Sequence, residues 1–298
     1  MSSVLEADGL GRRYGRRWAL RDCTLDIPAG RVVALVGPNG AGKTTLLHLA
    51  VGLLEPTTGT IGVLGEKVSD TPAQLGRVGF VAQETPVYPA LSVADHLRLG
   101  AHLNPGWDDR VAQERMQQLQ LDPSQRAGSL SGGQRAQLAL ALAVAKRPKL
   151  LLLDEPVASL DPLARREFLQ GLMEIASEQE VSVILSSHLV ADLERVCDYL
   201  VLLTASRIQL AGEVEELLAT HRRLIGPRRD IDSLPAGQQV IEASHTDRQS
   251  TLLVHTEEPL HDPAWAVEEV SVEDLVLAYM RQGTAAQRDP SPVWGVKR

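Results

Sequence analysis

Short, continuously apolar runs set the rhythm of this chain, each closed by a turn and followed by a stretch of helical texture. Arg31 to Val36 (RVVALV), Leu150 to Leu153, Val181 to Leu185 and Tyr199 to Leu203 carry almost no polar positions. That pattern predicts strands buried on both faces, as in a parallel sheet with helices on either side. Arg77 to Val81 reads as a further strand ending at Gln83, and Glu55 to Gly65, rich in Thr and Gly, as a turn followed by a short strand. The helical pattern runs from Lys43 through Leu53, from Ser92 to about Leu121, and from Ser131 to about Lys146. Ser92-Val93-Ala94-Asp95 has the form of a capping box, and Asp161-Pro162 places a cap directly before a proline at the first helical position. Strands alternating with helices predict an α/β fold with a mostly parallel sheet, and the block between the two sheet-forming regions predicts a helical insert.

Beyond about Thr220 the texture changes. Arg222, Arg223, Arg228 and Arg229 around Gly226-Pro227 read as a linker. Gln239 to Ala243 and Thr251 to His255 are expected to pair as short strands, and Val272 to Met280 to form a helix. The expected organisation is therefore a principal domain over 1–220, with a helical subdomain over about 84–148. A small α+β accessory region over 221–282 and a flexible tail over 283–298 follow.

The chain has 298 residues and a formal net charge of -8, which argues against a general nucleic-acid binder. Cys23 and Cys197 stand far apart without metal-ligand neighbours and read as reduced, buried thiols. The histidines make no metal-ligand spacing. No apolar run approaches the ~20 residues of a membrane helix, so a cytoplasmic chain is expected, with any membrane role supplied by a partner.

Two stretches carry phosphate chemistry. Gly37-Pro38-Asn39-Gly40-Ala41-Gly42-Lys43-Thr44 follows a strand and opens a helix, the context in which a glycine-rich loop aims backbone N–H groups and a helix dipole at phosphate. Lys43 is placed to reach the β and γ phosphates and Thr44 to ligate Mg²⁺. Asp154 and Glu155 end a leucine strand, where a parallel sheet opens onto its ligand crevice. We assign metal duty to Asp154 and a base or water-orienting duty to Glu155.

With Leu130-Ser131-Gly132-Gly133-Gln134 lying between those two stretches, the chain resembles the nucleotide-binding subunit of ABC (ATP-binding cassette) transporters over about Val4 to Ala219. GPNGAGKTT, ending at Thr45, resembles the Walker A loop and LSGGQ the family signature. LLLLDEP resembles Walker B, Ser159-Leu160-Asp161 the D-loop, Gln83 the Q-loop glutamine and His188 the switch histidine. The resemblance implies a P-loop NTPase cassette that binds ATP with Mg²⁺ held by Thr44, Gln83 and Asp154. It also implies that Glu155, His188, Gln83 and Lys43 serve hydrolysis, and that Tyr14 stacks on adenine, with Trp18 an alternative for that role. It further implies a second cassette, homo- or heterodimeric, whose ATP meets this chain's LSGGQ. A separately encoded integral-membrane permease would hold the pair at the cytoplasmic face. The ending VSVEDLVLAYM resembles bacterial drug- and antibiotic-resistance exporters, so export is the expected direction. A soluble, non-transport cassette ATPase, such as the iron–sulfur assembly type, is the alternative function.

Overall fold

The computed structural model describes residues 2–84, 87–228, 238–256 and 262–288, with backbone alone at 192 and 284–288. The chain opens with a hairpin of β1 (Ser3–Tyr14) and β2 (Arg17–Pro28). It continues through β3 (Val32–Val36), α1 (Lys43–Ala50), β4 (Thr58–Val63), β5 (Glu66–Lys67), α2 (Pro72–Arg77) and β6 (Val78–Val81). A helical block follows: α3 (Val93–Leu103), α4 (Asp109–Gln118) and α5 (Gly132–Val144). The chain then returns to the sheet with β7 (Leu150–Leu153), α6 (Pro162–Gln179), β8 (Ser182–Ser187), α7 (Val190–Leu193), β9 (Tyr199–Thr204), β10 (Arg207–Glu213) and α8 (Val214–Thr220). The last elements are β11 (His221–Pro227), β12 (Gln238–His245), β13 (Gln249–Thr256), β14 (Ala266–Glu268) and α9 (Val272–Arg288).

The central sheet has the order β10-β9-β3-β8-β7-β6, parallel throughout except for β10. Its inner strands are buried at every position because both faces are covered. Successive residues divide between two cores, as the strand period of two requires. Val32, Ala34 and Val36 face α5, α6 and α9, whereas Val33 and Leu35 face α1 and the antiparallel sheet β2-β1-β4-β5. Helix α5 joins two bodies. Ala136, Leu140 and Ala143 pack under the central sheet, and Leu138 and Ala141 pack with Val93 and Met116 of the helical block.

Two expectations fail at the C-terminal end. The stretch around Gly226-Pro227 is not a linker, because His221–Pro227 is an inner strand of a third sheet, β12-β13-β11-β14. Leu224 is fully buried there, and a side chain on Gly226 would fall 2.7 Å from the Trp265 ring. Arg222 and Arg223 lie in that strand and bind its neighbours: Arg223 pairs with Asp274 at 2.6 Å, and Arg222 donates to the Leu218 carbonyl. Arg229 lies outside the described residues. The tail expected from Gly283 also starts too early, since α9 continues to Arg288 and Gly283 is buried against Thr204. Residues 289–298 lie outside the described residues.

Candidate active site

Strand β3 delivers the chain to the glycine-rich loop at the carboxyl end of the central sheet. Gly37 sits so close to the Leu203 carbonyl that no Cβ fits, and Gly42, at φ +116°, is crowded in the same way by the Ala19 carbonyl. Only glycine satisfies both the approach and the left-handed angle. Gly42 is the N-cap of α1 and has no capping side chain, so the first turn of α1 presents its positive end to the cleft. Ala41 closes the loop through a backbone bond to the Pro38 carbonyl at 3.1 Å.

The cleft measures about 510 Å³ and is lined by Tyr14, Arg17, Asn39, Gly40, Gly42, Lys43, Thr44, Thr45, Gln83 and Glu155. Lys43 is buried, with Nζ donating to the Gly37 carbonyl at 2.8 Å and pairing with Glu155 Oε1 at 3.1 Å. The other carboxylate oxygen of Glu155 meets His188 Nδ1 at 2.6 Å. Glu155 has φ +48°, an uncommon angle for a residue with a side chain. Asp154, also buried, accepts from the Ser186 hydroxyl at 2.7 Å through Oδ1, and Ser186 in turn accepts the Glu155 N–H at 2.8 Å. Asp154 Oδ2 is buried with no hydrogen-bond partner. An orphaned carboxylate oxygen, with the Thr44 hydroxyl and Gln83 amide in the neighbouring cleft, is a set of hard oxygen donors that fits Mg²⁺.

Gln83 stands in the turn after β6. Tyr14 is half exposed at the tip of the β1–β2 hairpin, cross-strand from Arg17 and with the Arg12 guanidinium 5.1 Å from its ring. Trp18 is not among the residues lining the cleft, and the Arg13 guanidinium lies 5.5 Å from its ring. Sequence reasoning missed Arg17 and Ser186. The signal for Ser186 was weak, because the same strand also carries Ser182 and Ser187.

The signature residues are elsewhere. Ser131 and Gln134 form a capping box at the start of α5, with bonds of 3.1 and 2.9 Å, and Leu130 is buried in the helical block. Gly132 lies beside Leu160, and Gly133 faces Ala164 closely enough that a Cβ would sit at 3.0 Å. Ser131, Gly133 and Gln134 border a separate cavity of about 680 Å³ that shares no lining residue with the first. Ser159 is exposed, Leu160 is buried, and Asp161 caps α6 by accepting from the Leu163 and Ala164 N–H groups at 3.0 Å.

The family model described as "ABC transporter" matches residues 20–158. The uncharacterized ABC transporter ATP-binding protein YxlF of Bacillus subtilis is 36% identical over 220 residues, covering 72% of this chain and 72% of that protein. The chain belongs to the ABC transporter ATP-binding proteins. As a member of that family, the cassette binds ATP and hydrolyses it. The sulfate/thiosulfate import ATP-binding protein CysA of Bacillus cereus is 34% identical over 222 residues, covering 72% of the cassette chain. The chain spans 62% of that relative's length, less than two thirds. A solved structure of an ATP-binding subunit of an ABC transporter superposes with a TM-score of 0.64 at 29% identity, covering 73% of this chain and 92% of that one. The export direction expected from the C-terminal sequence finds no support in these relatives, one of which is named for import.

Proposed function

We propose that the cassette powers a transporter by pairing with a second cassette, each ATP being held between the glycine-rich loop of one chain and the signature of the other. The observation that carries this reading is the separation of two phosphate-directed features. Lys43, Thr44, Gln83, Glu155 and His188 gather at one cleft, while Ser131 and the start of α5 open on another cavity. A helix N-terminus with Ser131 and Gly132 exposed beside it offers an anion site that this chain's own cleft does not use.

In the proposed cycle the N–H groups of the loop and Lys43 take the phosphates, and Tyr14 stacks on the base. Mg²⁺ held by Thr44, Gln83 and Asp154 would neutralise charge developing on the phosphate oxygens. Glu155 orients the attacking water and accepts its hydrogen bond, with His188 fixing the second carboxylate oxygen. Lys43 must leave Glu155 to reach phosphate, so nucleotide entry frees the carboxylate for water. The permease reading is supported by an apolar groove beside the Gln83 turn, lined by Phe80, Tyr88, Leu103 and Trp107, with Tyr88 and Leu103 more than half exposed.

Glu155→Gln is the deciding variant. It is expected to bind ATP, to lose at least about 10²-fold in turnover, and to accumulate as a dimer with ATP and Mg²⁺ in light scattering. A variant that stays monomeric at saturating ATP overturns the composite-site reading.

A further inference from the structure

Every position of β8 is buried, although three of its six residues are serines. A hydroxyl there costs free energy unless it is bonded. Ser186, with no exposed surface, is bonded twice. In the parallel register Ser186 lies opposite Leu35 of β3, one residue beyond the Leu153–Leu185 pair that joins β7 to β8. It therefore faces the point where β7 gives way to Asp154 and Glu155. A serine hydroxyl has one proton and two lone pairs. The proton goes to Asp154 Oδ1 at 2.7 Å, and a lone pair receives the Glu155 N–H at 2.8 Å.

Each bond constrains a different part of the site. With Oδ1 occupied, the Asp154 carboxylate cannot turn freely, and its Oδ2 is left as the oxygen without a protein partner. With its N–H tethered, Glu155 is held at φ +48°, from which its side chain reaches both Lys43 and His188. We propose that Ser186 is a positioning residue for hydrolysis, orienting the Asp154 carboxylate toward the divalent metal and holding the backbone of Glu155 in its left-handed conformation. It touches neither nucleotide nor metal and acts through these two neighbours. The inference rests on the reading of Asp154 as the metal carboxylate and Glu155 as the water-orienting group.

The test uses the full chain with Mn²⁺ as the probe and a non-hydrolysable ATP analogue, read by electron paramagnetic resonance. Ser186→Ala is expected to weaken Mn²⁺ in the nucleotide complex about 10–100-fold, the usual effect of removing a group that orients a metal ligand. Its affinity for the analogue in EDTA is expected to stay unchanged, and Ser186→Thr, which keeps the hydroxyl, to restore the metal affinity. If the alanine chain does not fold, Ser186→Cys, close in size but a weak donor, is read for the same shift. Unchanged Mn²⁺ affinity in Ser186→Ala overturns the inference. So does an equal loss of metal-free nucleotide affinity, which marks a general collapse of the site. Asp154→Asn separates the two levels. If it weakens Mn²⁺ while Ser186→Ala does not, the serine's role fails alone, and if Asp154→Asn has no effect, the assignment of the metal carboxylate fails.

Discussion

Among individual residues, Lys43 and Glu155 form a buried ion pair at the cleft. Both side chains are about 5% exposed, so each charge depends on the other and on bonds to the Gly37 carbonyl and His188. Removing one partner of a buried pair strands the remaining charge and costs about 3–5 kcal/mol. Lys43→Ala is therefore expected to destabilise the nucleotide-free chain by about that much in urea unfolding. Glu155→Gln on the same background is expected to recover a large part of the loss, because the stranded charge goes with it. Additive losses in that double-mutant cycle would show that the pair does not form. Lys43, Thr44, Asp154 and Glu155 were legible in the sequence because their chemistry depends on spacing relative to glycines and a strand end. Ser186 and Arg17 were not. One serine among the three of β8 carries no spacing signal, and Arg17 reaches the cleft only because the hairpin sets it opposite Tyr14.

At the scale of elements, the buried strands were the most legible, since their continuous apolarity has one inexpensive solution, burial on both faces. The caps at Ser92 and Asp161 were equally readable, and each makes the expected bonds. Strand β11 was not. Its Gly-Pro and arginines look like solvent-exposed chain until α9 supplies Asp274, and Trp265 supplies the surface that Gly226 must fit under. That contact joins residues far apart in sequence, which local pattern does not encode. The junction of α8, β11 and α9 holds a buried histidine. His221 Nδ1 donates to the Leu217 carbonyl at 2.7 Å, and Nε2 accepts from the Tyr279 hydroxyl at 3.0 Å. Burial lowers its pKa below the ordinary histidine value, and nearby His255 and Arg222 push in the same direction, against the raising effect of the Leu217 carbonyl bond. Above about pH 6.5 both the folded and unfolded forms are neutral. Below it the unfolded chain takes the proton first, so stability falls as pH falls. The melting temperature is expected to decline below about pH 6.5, and His221→Gln to flatten that decline. Parallel pH profiles for the two proteins would remove His221 as its source.

For the whole molecule, the cleft and the signature cavity share no lining residue, and on the proposed reading one chain then offers two half-sites. If each ATP is shared, damage to opposite halves must complement. Lys43→Ala chains lose the loop half of a site, and Ser131→Arg chains lose the signature half, so neither forms an intact site with its own kind. A mixed dimer has one intact site, made from the Lys43 of one chain and the Ser131 of the other, and one site broken on both sides. With random pairing, half the dimers are mixed and half of their sites are intact, so activity is expected to rise on mixing to about a quarter of wild type per chain in a two-fold dimer. Ser131→Arg also removes the capping box of α5, a loss of about 1 kcal/mol. Recovery on mixing would show that this loss leaves the chain folded, because its Lys43 is the one being used. Wild-type activity from Ser131→Arg alone would place the signature outside catalysis. No recovery in a mixture shown to form dimers would mean that each chain hydrolyses ATP entirely on its own.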